Sequence, residues 1–127
     1  MIRIATVGEI GSGKSYVAKL LGFPVFNADI QINKIYKNNH KCFLILKKKL
    51  PKFIKSYPIK KSEILKAIFA NKNNLKKITK IVHPIVRLNM LNFIKKNKKK
   101  KAIVLDIPLY FENKINKKGD IIIFVEA

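Results

Sequence analysis

The sequence predicts an α/β protein built on a parallel sheet, with a helical insertion between its strands. Three observations predict it. Short, continuously apolar runs recur along the chain, as in strands buried on both faces of a parallel sheet. Helical patterns alternate with these runs. A glycine-rich loop stands between the first run and the first helix.

Ile2 to Val7 reads as the first strand and Gly8 to Gly13 as the loop. From Lys14 to Leu21 the apolar positions Val17, Ala18, Leu20 and Leu21 have helical spacing, and Gly22 follows where a C-terminal cap is expected. Pro24-Val25-Phe26 forms a second strand, and Asn27-Ala28-Asp29 starts a helix through Tyr36. Residues 38–100 are expected to hold several short amphipathic helices, broken at Pro51, Pro58, Asn71 to Asn74 and Pro84. Ser62-Glu63 is the expected N-cap of a helix through Ala70. Pro84 is expected in the first turn of a helix carrying Ile85, Val86, Leu88, Leu91 and Ile94. Ala102 to Ile107 and Asp120 to Val125 give the third and fourth strands. The expected organisation is a core of residues 1–37 and 101–127 around a helical insertion of residues 38–100.

Bulk properties narrow the function less. The 127 residues, 48% of them hydrophobic, suffice for a buried core. No apolar run approaches the roughly 18 residues of a membrane helix. The N-terminus passes straight into the glycine loop and does not read as a signal peptide. A lone Cys42 forms no internal disulfide and suits the reducing cytoplasm. The 28 Lys and Arg against 7 Asp and Glu give a net charge of +21. That charge is compatible with nucleic-acid binding, with attraction of small polyanions, or with compositional drift in a chain also rich in Asn and Ile. The lysines are spread over loops and helix faces, with little of the aromatic and Arg interleaving of a base-stacking platform. Charge by itself assigns no function, and nucleic acid is not the expected partner.

The strongest local signal is Gly8-Glu9-Ile10-Gly11-Ser12-Gly13-Lys14-Ser15, which fits G-x-x-x-x-G-K-[ST]. Glycines let successive backbone N–H groups converge on phosphate oxygens, and the following helix adds its positive end. Lys14 reaches the β- and γ-phosphates, and the Ser15 hydroxyl is a Mg²⁺ ligand. The nucleotide-binding set is therefore Gly8, Ile10, Gly11, Ser12, Gly13, Lys14, Ser15 and the adjoining Tyr16. The expected architecture becomes a P-loop NTPase three-layer sandwich with a parallel sheet and a helical insertion. Such a loop does not name a substrate, because GTPases, ATPases and small-molecule kinases share it.

Asp29 follows the second strand at the carboxyl edge of the sheet, where open α/β folds bind ligands. It is the candidate general base or hydroxyl-positioning carboxylate, with a helix N-cap as the alternative. Asp106 closes an apolar strand, as metal-side carboxylates do in P-loop proteins, or bonds backbone amides at the strand end.

Five ordered blocks resemble the dephospho-coenzyme A kinase family. They are Ile10 to Ser15 with Val17-Ala18, Pro24 to Asp29, Ile59 to Asn71, Ile78 to Val86 with its His83-Pro84, and Val104 to Glu112. The resemblance implies a P-loop kinase that transfers the ATP γ-phosphate to the 3′-hydroxyl of dephospho-coenzyme A, with Lys14 and Asp29 catalytic and Ser15 and Asp106 at the metal. It implies acceptor contacts by Asp29, Lys61, His83, Arg87, Pro108 and Glu112. Read on their own, His83 is a structural turn or cap histidine, Arg87 is equally a solvated surface cation and Glu112 an ordinary exposed loop acid. Three positions depart from the family pattern: Asn27 replaces an aspartate, Lys61 stands where arginine is usual, and Tyr110 replaces a leucine. The arginine-bearing lid and the final strand and helix of the family do not occur in the 127 residues, so the carboxyl end reads as cut. Weak or no turnover of this chain alone is the expectation. Rival readings are another P-loop small-molecule or nucleoside kinase, and an inactive nucleotide- or nucleic-acid-binding remnant.

Overall fold

A computed structural model describes residues 2–7, 19–107 and 121–124. Strand β1 (Ile2–Val7) is followed by β2 (Val25–Asn27), β3 (Ala102–Asp106) and β4 (Ile121–Phe124). The four form one sheet in the order β2-β3-β1-β4, with every pairing parallel. The apolar runs read as strands thus occupy one sheet, as expected. All five β3 residues are buried, which fits an inner strand covered on both faces. Leu21 and Val25 pack on Ile4, Ala102 and Val104, and the Phe26 ring lies 5.6 Å from that of Phe93. Gly22 has φ +73°, the left-handed conformation that glycine adopts without a Cβ penalty, so the expected cap is present.

Helix α1 (Ala28–Asn38) starts directly after β2. Next come α2 (His40–Lys49), α3 (Lys61–Ala70) and α4 (Lys72–Lys96). The chain divides into two compact units, Met1–Asp29 with Asn89–Ala127, and Ile30–Leu88. The second unit is helical. Its core includes Ile35, Phe43, Leu46, Ile54, Ile64, Ala67, Ile78 and Val82. Asn39 caps α2 by accepting from the Cys42 N–H at 2.9 Å. Lys47, Lys48 and Lys49 fill the last turn of α2, where cations offset the negative end of the helix dipole. His40, Phe43 and Tyr57 form a ring cluster with centroids 4.9–5.8 Å apart.

Three local expectations are corrected. Pro84 does not open a helix; it lies inside the 25-residue α4, so the break expected at 84 is absent. Asn74, Ile78, Val82, Val86 and Met90 of α4 are buried at every fourth residue, with His83 buried beside Val82, while Leu88 and Leu91 are exposed. That spacing carries one helix through the proline. The break at Asn71 to Asn74 shrinks to Asn71 alone, whose side chain accepts from the Asn73 N–H at 2.9 Å, and Asn74 turns inward to donate to the Ala67 carbonyl at 2.7 Å. Ser62 is not a cap, because α3 begins at Lys61 after Lys60. Glu63 instead accepts from the N–H groups of Lys55 and Ser56 at 3.3 and 3.2 Å, fastening the loop before the helix. No helix among the described residues is long and apolar enough to cross a membrane.

Two outcomes follow for the helical unit. Burial pushes the Cys42 thiol from an ordinary 9.0 up to about 11, since the thiolate loses hydration there. At pH 8 a disulfide reagent is expected to modify native Cys42 roughly 100-fold more slowly than the unfolded chain, following the two-unit gap. A native rate within threefold of the unfolded one contradicts this. Because the folded value is the higher, the stabilisation is whole below pH 9 and is lost as pH rises towards 11. Separately, Pro84→Ala restores an N–H for the Lys80 carbonyl and is expected to raise stability by up to about 3 kcal/mol. A lower Tm contradicts that reading.

Candidate active site

The candidate site is built from the carboxyl edge of the sheet. β1 and β3 are neighbours, yet the chain leaves β1 towards β2 on one side and leaves β3 towards β4 on the other. Their carboxyl ends therefore flank a topological switch point, where open α/β sheets hold ligands. The register sets what lies there. Asn27 pairs with Asp106, and Asp106 pairs with Thr6, so three polar residues share one row across β2, β3 and β1.

Asp106 is 1% exposed. A buried carboxylate costs several kcal/mol unless it is hydrogen-bonded. Asn27 supplies such a bond, its Nδ2 donating to Asp106 Oδ2 at 2.6 Å. The departure from aspartate at position 27 thus provides a donor where a second acid would face the first with like charge. Thr6 is fully buried, and its Oγ1 has no hydrogen-bond partner among the described residues. Two residues after Asn27, Asp29 is exposed in the first turn of α1, where the helix dipole favours a negative charge. A carboxylate open to solvent at this edge can accept a proton from a hydroxyl; a carboxylate sealed like Asp106 can orient a cation or a donor.

The remaining described candidates belong to the helical unit. Lys61 is exposed as the first residue of α3. His83 is buried within α4 rather than in a turn, and Arg87 lies exposed one helical turn further on. Residues at this spacing share a helix face, about 6 Å apart along the axis. Gly8, Ile10, Gly11, Ser12, Gly13, Lys14, Ser15, Tyr16, Pro108 and Glu112 lie outside the described residues.

A Mg²⁺ ion is compatible with this edge. Among the described residues no three His, Cys, Asp or Glu side chains gather into a cage. Mg²⁺ does not require one, since it uses one or two carboxylates and completes its shell with phosphate oxygens and water. Asp106 offers a hard oxygen donor of that kind. Sequence reasoning missed Thr6 and the role of Asn27. A threonine next to the end of an apolar run ahead of a glycine loop was the available signal for Thr6, whereas nothing local marks a bond between positions 27 and 106.

Comparison with known proteins bears on the same chain. The family described as dephospho-CoA kinase matches residues 2–127. A dephospho-CoA kinase of Wolbachia pipientis wMel is 34% identical over 98% of this chain and 66% of its own length. One from Bartonella quintana is 33% identical over the same shares. A crystal structure of a Thermus thermophilus protein superposes with a TM-score of 0.79 at 29% identity, covering 99% of this chain and 65% of that one. The chain thus spans just under two thirds of the length of these relatives. The sheet order and these matches give an α/β fold of the P-loop NTPase type. With an inward acid, an outward acid and a switch point on one sheet edge, the chain belongs to the dephospho-CoA kinase family.

Proposed function

We propose that the chain carries the nucleotide- and acceptor-handling parts of a kinase that moves the ATP γ-phosphoryl group onto the 3′-hydroxyl of dephospho-CoA, the last step of coenzyme A biosynthesis. The observation that carries this reading is Asp29, an exposed carboxylate at the carboxyl edge of the parallel sheet, in a chain matched to the family along residues 2–127. In the proposed step the ribose oxygen forms a bond to the γ-phosphorus and the bond to the β,γ-bridging oxygen breaks, releasing ADP. Asp29 accepts the hydroxyl proton, or orients the oxygen for in-line attack. Lys14 neutralises charge on the β- and γ-phosphates, while the loop from Gly8 to Ser15 with Tyr16 binds the nucleotide.

Ser15 and Asp106 are the proposed Mg²⁺ ligands, and the ion supplies charge neutralisation on the transferring group. Asn27 keeps the Asp106 carboxylate fixed by its 2.6 Å hydrogen bond. Lys61, His83, Arg87, Pro108 and Glu112 are the proposed acceptor contacts. Lys61 would give a single-point phosphate contact in place of the bidentate grip of an arginine. The functional division we propose assigns residues 1–37 and 101–127 to the nucleotide and 38–100 to the acceptor. A small-molecule acceptor, no membrane or nucleic-acid partner, and the reducing cytoplasm complete the reading.

Calorimetry and product analysis test it. The chain is expected to bind ATP and dephospho-CoA and to form CoA slowly. Lys14→Ala should weaken ATP at least about tenfold, the equivalent of 1.4 kcal/mol. Asp29→Asn should leave ATP affinity within about threefold and lower transfer roughly 10²- to 10⁴-fold. Phosphorylation of a nucleoside or of shikimate with dephospho-CoA untouched would overturn the assignment, as would ATP binding indifferent to Lys14.

A further inference from the structure

The helical unit Ile30–Leu88 holds sixteen Lys and Arg but one acid, a net +15 of the chain's +21. That acid is Glu63, already committed to the N–H groups of Lys55 and Ser56. The lysines are distributed along the sequence, but their charge is concentrated in this unit with almost nothing to offset it. Within the unit lies an open cavity of about 410 Å³, formed by the end of α2, the turn after it, and the facing ends of α3 and α4. Its size falls in the range of roughly 300–1,000 Å³ typical of small-ligand sites. Lys49, Lys52 and Lys77 are exposed on its lining, beside the buried Leu50, the half-buried Phe53 and the amide of Asn71. Cations of one sign around a low-dielectric floor focus the field and raise the local concentration of anions.

We infer that this cavity is a binding site for a small organic phosphate, with the phosphate against the lysines and an apolar body against Leu50 and Phe53. A bare inorganic anion would use only the cationic part of the lining; an uncharged apolar molecule would use only Leu50 and Phe53. Of the acceptor contacts proposed above, Lys61, His83 and Arg87 do not line it. Along α4, Lys77 stands six residues before His83 and ten before Arg87, about 9 and 15 Å by helical rise. The inference does not rest on the phosphotransfer reading.

Titration of the isotopically labelled chain with 1-naphthyl phosphate, followed by amide NMR, tests it. Saturable shifts are expected at Leu50, Phe53, Asn71 and Lys77, with inorganic phosphate binding there at least tenfold more weakly. Lys49→Glu combined with Lys77→Glu alters exposed side chains, so the dispersion of the spectrum should be kept. In that variant affinity for 1-naphthyl phosphate should fall at least tenfold, while ATP affinity stays within threefold. Linear, non-saturating shifts spread over the lysine surface would overturn the site. So would saturable shifts confined to residues 8–15, or equal affinity for inorganic phosphate.

Discussion

A carboxylate buried at the end of an inner strand is the constraint on which the rest of this architecture depends. Asp106 is sealed from water, and leaving it uncompensated would cost several kcal/mol, a large part of the 5–15 kcal/mol that holds a domain folded. Its hydrogen bond from Asn27 at 2.6 Å exists only because β2 pairs with β3 in the register that sets those residues opposite each other. A slip of one residue would turn Asn27 to the other face of the sheet. The same register brings Thr6 of β1 into the row and leaves Asp29 just beyond it, where α1 begins. The residues proposed for the chemistry therefore depend on the same register that holds the sheet together.

Much of the core was legible in sequence, and for a specific reason. Buried parallel strands must be apolar throughout, so Ile2–Val7 and Ala102–Asp106 stand out without any long-range information. Gly22 was legible too, since a positive φ at a helix end is met most cheaply by glycine. Asn27 was not. Its partner lies 79 positions away, and on residue type alone the change from aspartate reads as a loss.

The helical unit shows where local rules give way to packing. A proline inside a helix costs about 3 kcal/mol, which argued for a break at Pro84. Ile78, Val82 and Val86 are buried on the same helix, and each such side chain contributes about 1.5–3 kcal/mol. Their sum exceeds the proline cost, so α4 continues from Lys72 to Lys96. Ser62 and Glu63 illustrate the same competition: a carboxylate able to satisfy two loop N–H groups leaves the capping position to Lys60. The distribution of charge was legible as a total but not as a placement. Only the division into units shows that the helical part carries most of it and that its single acid is occupied.

The central claim is that nucleotide phosphates gather at the carboxyl edge between β1 and β3. Amide NMR of the labelled chain with Mn²⁺ and ATP measures this directly, because the paramagnetic ion broadens signals in proportion to proximity. Besides Gly8 to Ser15, broadening should be strongest at Thr6, Asn27, Asp29 and Asp106 and fall off towards Ile2 and Ala102, about 13 Å away by strand rise. Broadening centred on the amino edge of the sheet, or on Lys49 to Phe53, would contradict the account.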